Sequence, residues 1–248
     1  MKKIAYIAAA SMLAMATAYA GGQTMEPVAS GPHWTGFYLG GDAGYMWGKA
    51  KESQVYSFYS PASERVDINY HPNGGIIAMH GGYQYLWARH YLTGLEVLTG
   101  WAGLSGKQQM STLINDPTRV DNSIAHTKGG LFVGLLGRLG LVEWKNWLFY
   151  GKGGYAWTDI SQTFTDSNGN GGALLLNPSE PTRNAALYGG GIEYAVNDSS
   201  WSVLAEYLRW DFGGSKESKA ESNTGSTYYF KHYLTANSFT LGASYHFA

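Results

Sequence analysis

A chain of 248 residues that is 44% hydrophobic, 15% aromatic and only 14% charged is not a disordered segment, which would be charged and poor in aromatics. A net charge of −1 gives no electrostatic footprint for nucleic acid, and the absence of cysteine excludes disulfides, thiolate metal sites and thiol catalysis. The mean hydropathy of −0.23 excludes a bundle of apolar spanning helices and requires that apolar residues be interleaved with polar ones.

The N-terminus reads as an export signal. Lys2 and Lys3 supply a positive start, Ile4 to Met15 an apolar stretch, and Ala18-Tyr19-Ala20 a small-x-small cleavage site. The expected organisation is therefore a signal peptide over 1–20, a short leader over 21–33 rich in Gly, Pro and Ser, and one domain over 34–248. Further along, Gly129 to Val142 is the longest apolar stretch, but Arg138 and five glycines interrupt it, which argues against a spanning helix.

From Trp34 onward the apolar residues alternate, and eight strands are predicted in chain order. The first, Trp34 to Gly48, sets Phe37, Leu39, Ala43, Tyr45 and Trp47 against Gly36, Gly40, Asp42 and Gly44. Gly75 to Trp87 sets Ile77, Met79, Tyr83 and Tyr85 against His80, Gly82 and Gln84, and Tyr91 to Trp101 sets Leu95, Val97 and Trp101 against Gly94 and Glu96. The fourth places Leu131, Val133, Leu135, Leu139 and Leu141 opposite Lys128, Gly134, Arg138 and Gly140. Trp147 to Trp157 opposes Phe149 and Tyr155 to Lys152 and Gly154, and Ala186 to Val196 opposes Tyr188, Ile192 and Tyr194 to Leu187, Gly189, Gly191 and Glu193. The seventh alternates Val203, Ala205 and Tyr207 with Leu204, Glu206 and Leu208. The last alternates Phe239, Leu241, Ala243, Tyr245 and Phe247 with Ser238, Thr240, Gly242, Ser244 and His246.

Nearly all strand charge falls on one face, crowded with glycine; Arg209 is the exception near a strand end. The other face ends in Tyr45, Trp47, Tyr83, Tyr85, Trp101, Trp147, Tyr155, Trp157, Tyr194, Tyr207, Tyr245 and Phe247, the pattern of an interfacial aromatic girdle. A soluble sandwich would bury the apolar face and wet the mixed one. The glycine-rich mixed face and the aromatic ends favour instead an all-β, eight-stranded antiparallel up-and-down transmembrane barrel. Long connections (49–73, 103–124, 160–184, 213–232) alternate with short ones around Ala88 to His90, Val142 to Asn146 and Asn197 to Ser200, which places both termini in the periplasm.

The opening Trp34-Thr35-Gly36-Phe37-Tyr38-Leu39-Gly40-Gly41, Arg138-Leu139-Gly140 before a turn, Gly189-Gly190-Gly191-Ile192-Glu193-Tyr194, Ala205-Glu206-Tyr207 and the closing Leu241 to Phe247 resemble the opacity-type, OmpA-like porin family of small outer-membrane immunogenic proteins. The resemblance covers essentially the whole mature chain. It implies location in the bacterial outer membrane, contact with outer-membrane lipid and lipopolysaccharide, and delivery by the barrel-assembly machinery through the C-terminal strand. Two departures stand out: Ala248 follows the aromatic Phe247, where such chains end on the aromatic, and Leu204 and Thr240 stand where basic lumen residues are expected.

Eight strands enclose a space just wide enough for side chains. Asp42, His80, Glu96, Lys128, Arg138, Lys152, Glu193 and Glu206 are expected to fill it as a charge network, with Glu96 near Arg138 and Lys152 near Glu193. That composition points to a plugged, non-enzymatic barrel with a structural and surface role; a small-solute porin and an adhesin are the alternatives. No cofactor, metal or catalytic residue is assigned. His71, His126 and His232 lie at loops without ligand spacing, and Asp166-Ser167-Asn168-Gly169-Asn170-Gly171 starts like a calcium loop but has Asn177 at its twelfth position. Loop residues Tyr56, Phe58, Tyr59, Arg65 and Tyr70, and Lys216, Lys219, Tyr228, Tyr229, Phe230 and Lys231, are the candidates for a host or surface ligand; Arg209 and Lys231 are candidates for lipopolysaccharide phosphates.

Overall fold

The computed structural model describes residues 34–57, 64–109, 124–144, 146–168, 172–174, 183–214, 218–221 and 227–247. The expected signal peptide and leader, the centre of the calcium-like loop, Phe58, Tyr59, Lys216 and Ala248 lie outside them. The described residues form β1 (Gly36–Ser57), β2 (Glu64–Tyr70), β3 (Asn73–Trp87), β4 (Tyr91–Ala102), β5 (Ser105–Gln109), β6 (Ile124–Lys128) and β7 (Leu131–Glu143). They continue as β8 (Trp147–Thr158), β9 (Ser161–Asn168), β10 (Gly172–Leu174), β11 (Arg183–Ala195), β12 (Trp201–Gly214), β13 (Ser218–Glu221) and β14 (Thr227–His246).

Eight of these close the wall in the order β1-β3-β4-β7-β8-β11-β12-β14, each antiparallel to the next, and β14 returns to β1. Closure satisfies every ladder edge within the wall, which a spanning sheet in hydrocarbon requires. The closing β1–β14 ladder runs from Tyr38↔His246 to Ser57↔Thr227. A strand crosses the hydrocarbon in roughly 9–11 residues, so the 22 residues of β1 and 20 of β14 project well beyond it.

That projection revises the long connections. Strand extends into 49–73, 103–124 and 160–184: β2 pairs with β1, β6 with β5 and β9, and β10 with β9, building a head on one end of the barrel. The other end carries the tight turns. Ala88 and Arg89 between β3 and β4 have φ of 50° and 66°, Trp144 has 48° and Asp198 has 54°, conformations that cost a residue with a Cβ and that glycine adopts freely.

The alternation continues through the wall except at Gly129-Gly130 and at a bulge in β12 between Asp211 and Gly214, where Gly213 has φ of 62°. In β6 the inward residues are Ala125 and Thr127; in β7 they are Phe132, Leu136 and Arg138, so the phase inverts across the two glycines. A Cβ on Gly129 would stand 2.1 Å from the Ala102 carbonyl oxygen, and one on Gly130 2.4 Å from that of Asp159. Only glycine lets the neighbouring backbones approach there. Lys128, expected in the lumen by unbroken alternation, therefore lies exposed on β6, paired in register with Ser105 and Ser161.

Inside, side chains form layers. Trp34, Leu92, Val142, Leu148 and Ala195 cluster at the turn end. Toward the head, Met46, Ile76, Leu98, Phe132, Leu136, Leu187, Leu208 and Trp210 fill the bore with apolar bulk. Phe132 and Trp210 meet edge to face at 5.1 Å between ring centroids, a favoured aromatic geometry.

Candidate functional site

Between the two apolar layers lies a buried charged cluster. Register sets its level: Asp42 faces Gly242, Gly40 faces His80, Gly82 faces Glu96, Gly94 faces Arg138, Arg138 faces Lys152, Gly191 faces Glu206, and Leu148 faces Glu193. Large polar groups repeatedly stand beside glycine. At Gly40 the need is direct, since a Cβ would fall 2.3 Å from His80 Nε2.

Every carboxylate in the cluster has a basic partner. Arg138 donates to Glu193, whose Oε1 also lies 3.0 Å from His246 Nε2 and accepts from the Ser202 hydroxyl. Lys152 donates to Glu96 at 2.6 Å and to Glu206 at 2.5 Å. His80 Nδ1 is 2.8 Å from Asp42 Oδ2, and its Nε2 is 2.7 Å from Ser244 Oγ. Two tyrosines complete the acceptor sites: Tyr38 donates to Glu96 at 2.7 Å and Tyr150 to Glu206 at 2.9 Å. The Arg138 guanidinium sits 3.9 Å from the centre of the Tyr150 ring and donates to Gln84 Oε1 at 3.2 Å.

Asp42, His80, Glu96, Arg138, Lys152, Glu193 and Glu206 are thus together and buried, while Lys128 is elsewhere. The ion pairs differ from those expected from neighbouring strands. Arg138 pairs with Glu193 and Lys152 with Glu96 and Glu206, because in so narrow a bore long side chains reach across it more directly than along the wall. Sequence reading left Gln84, Tyr38, Tyr150 and Ser202 out of the network; their inward phase was the available signal.

A second polar cluster occupies the head. Tyr70 donates to Glu52 at 2.9 Å and lies 2.5 Å from Thr127 Oγ1; His232 Nδ1 is 3.6 Å from Glu52, and Arg183 donates to Gln162. Burial and the Glu52 charge hold the Tyr70 hydroxyl well above the usual tyrosine range, so it is a permanent donor there. Tyr70 and His232, expected in loops, are buried. The side chains of Tyr56, Arg65, Asp166, Lys219, Tyr228, Tyr229 and Phe230 lie outside the described ones. His71 and His126 are not part of a metal-binding group among the described residues.

Comparison with known proteins resolves which class of barrel this is. The family described as outer membrane protein beta-barrel domain matches residues 6–247. The chain belongs to that family. A 31 kDa outer-membrane immunogenic protein of Brucella melitensis is 28% identical over 193 residues, covering 73% of this chain and 72% of that protein, and its counterpart in Brucella suis matches equally. Among solved structures, Neisserial surface protein A has 13% identity and a TM-score of 0.38 over 86% of this chain and 98% of that one. The outer membrane protease OmpT of Escherichia coli has 11% identity and a TM-score of 0.44 over 90% and 100%.

Placed in the bacterial outer membrane, the outward face of this family member reads as a lipid wall. Leu139, Leu95 and Leu241 are 66%, 64% and 61% exposed at mid-height. On the head side Tyr45, Trp47, Trp101, Tyr155, Trp157 and Tyr207 point outward; on the turn side Tyr83, Tyr85, Trp147, Tyr194, Tyr245 and Phe247 do so. Tyr45 and Tyr207 hydroxyls donate to Asn73 and Asn237 at 2.9 and 2.7 Å, giving the apolar rings a polar anchor at the head-side boundary.

Proposed function

We propose that this outer-membrane barrel is a non-enzymatic structural component of the envelope whose lumen is plugged, with its long connections outside the cell serving as its surface of interaction. The observation that carries the reading is the filling of the bore, where a paired charge cluster lies between two apolar layers. An ion crossing it would have to displace Arg138 from Glu193 and Lys152 from Glu96 and Glu206, and then pass the Leu136, Leu187 and Trp210 layer, where nothing replaces its hydration.

In this reading outer-membrane lipid and lipopolysaccharide contact the wall, the barrel-assembly machinery engages β14 and Phe247, and a host or surface ligand meets the head. A lipid-side enzyme would need a nucleophile or base facing the hydrocarbon. The outward positions there carry apolar residues such as Leu95, Leu135, Leu139, Ile192 and Leu241.

Planar-bilayer recording of the refolded full-length protein tests the proposal. A silent bilayer is expected, and large, stable ohmic openings would replace the plug with the porin reading. Lipid A mass spectrometry of expressing cells and cell binding after deletion of the long connections separate the enzyme and adhesin readings.

A further inference from the structure

The lipid side of the wall carries a groove at the turn end that the plugged lumen does not use. Trp87 and Tyr91, register partners whose ring centroids stack at 4.9 Å, stand at its outer end. From there it passes Leu141 and Phe149, which face each other across β7 and β8, and reaches Leu139 at mid-height, enclosing about 520 Å³. Its floor is Gly151, the register partner of Leu139, where an added Cβ would find its nearest atom only at 3.6 Å. The groove therefore extends from the aromatic boundary to the middle of the hydrocarbon, the depth of one leaflet. Trp144, 77% exposed in the β7–β8 turn and edge-on to Phe149 at 6.2 Å between centroids, continues its apolar side outward to headgroup level. So large an exposed apolar surface suits a membrane interface and is costly in water.

Just beyond the groove the wall becomes charged, with both signs. The Val142 N–H donates to the His90 carbonyl at 2.7 Å, and the next residue outward on each side of that bond is ionic: Arg89 in the β3–β4 turn and Glu143 at the end of β7, both exposed. Antiparallel order sets their backbones one inter-strand spacing apart, roughly 5 Å. Neither side chain has an ion-pair partner among the described residues; Lys145, next in that turn, lies outside them. A ligand matching both ends has an acyl chain for the groove, a phosphate for Arg89 and a cationic hydrogen-bond donor for Glu143. We propose that the groove binds one phosphatidylethanolamine of the inner leaflet, its chain over Gly151, its phosphate on Arg89 and its ammonium on Glu143. An ethylene link joins those two headgroup charges, a reach comparable to the spacing of neighbouring strands, and both contacts are charge-assisted hydrogen bonds. Phosphatidylglycerol has no ammonium, and the quaternary ammonium of phosphatidylcholine has no N–H to donate. The inference rests on the orientation proposed above, with the turn end in the periplasm.

The test titrates the full chain in detergent micelles with phosphatidylethanolamine, phosphatidylglycerol and phosphatidylcholine of the same acyl chains and counts retained lipid by native mass spectrometry. Wild type is expected to retain phosphatidylethanolamine above the other two. Arg89→Gln should weaken all three by about fivefold, whereas Glu143→Gln should weaken phosphatidylethanolamine alone by about as much and so remove the preference. Gly151→Leu should fill the groove and abolish retention. Gly41→Leu is the matched control: this outward glycine of β1 is equally open, with the Ala78 carbonyl oxygen 3.6 Å from an added Cβ, and its variant should bind as wild type does. Equal retention of the three lipids, an unaltered Glu143→Gln variant, or an equal loss in Gly41→Leu would overturn the proposal. Orientation is read separately: on intact cells an impermeant maleimide should label Lys107→Cys and not Asp198→Cys. The reverse labelling defeats the orientation and with it the inner-leaflet assignment, whereas correct labelling with failed binding defeats the site alone.

Discussion

Arg138 and Lys152 face each other across the β7–β8 ladder, yet their ion pairs run to different walls: Arg138 to Glu193 on β11, and Lys152 to Glu96 on β4 and Glu206 on β12. Like charges directly opposite on a sheet repel, and both groups are buried. The arrangement holds because each cation has a carboxylate on its far side and the Tyr150 ring beside it, 3.9 Å from Arg138 Cζ and 5.2 Å from Lys152 Nζ.

Breaking one half of a buried pair leaves the other charge uncompensated, at a cost of about 3–5 kcal/mol. Arg138→Leu and Glu193→Leu should each lose that much in urea titrations of the protein refolded into lipid vesicles. The double variant should lose clearly less than the sum. Additive losses would show that the pair is not energetically coupled.

Lys152 serves two carboxylates and Glu206 only one side of that bridge, so their substitutions are unequal. Lys152→Met should lower the unfolding midpoint more than Glu206→Gln, which keeps the Tyr150 acceptor and the shape of the side chain. An equal shift from the two variants would contradict the bridge.

The wall was legible in the sequence because period-two alternation carries both strand and facing in one signal: Leu139, Leu95 and Leu241 outward, Arg138, Glu96 and Glu206 inward. What defeated that reading was a local event it does not encode. At Gly129-Gly130 the backbone approaches Ala102 and Asp159 too closely for any Cβ, the phase inverts, and Lys128 leaves the lumen. The pairing of charges was hidden for a different reason: it depends on reach across the bore, which strand adjacency does not give. The apolar layer around Trp210 was already present in part as inward Leu187 and Leu208, but it became a layer only once register aligned them with Leu136.

The two faces should answer differently to the same charge. Leu139→Arg places a guanidinium at mid-height in lipid and should cost about 2–4 kcal/mol, whereas Trp47→Arg at the interface should cost less in its charge contribution. Vesicle refolding titrations compare them directly, and equal costs would place Leu139 away from the hydrocarbon centre.

Arg89 holds φ of 66° in the turn between β3 and β4, next to Ala88 at 50°. Arg89→Gly should stabilise the barrel by up to about 1 kcal/mol, since glycine adopts this conformation without a Cβ penalty. A loss of stability in the same titrations would mean that the Arg89 side chain contributes more than its backbone costs.

The seam between β1 and β14 joins the two ends of the barrel wall. Ser244 and His246, which complete the partners of His80 and Glu193, both ride on β14, and the ladder they belong to joins residues about two hundred positions apart. Loop-closure entropy for such a contact must be met before any of its rewards arrive. Until β14 docks, His80 and Glu193 each lack one of their partners and two strand edges stand open. Intermediates short of closure are therefore costly in lipid, and once the seam zips the same arithmetic runs in reverse: opening it exposes every layer of the bore at once, so the folded barrel should persist through a high kinetic barrier.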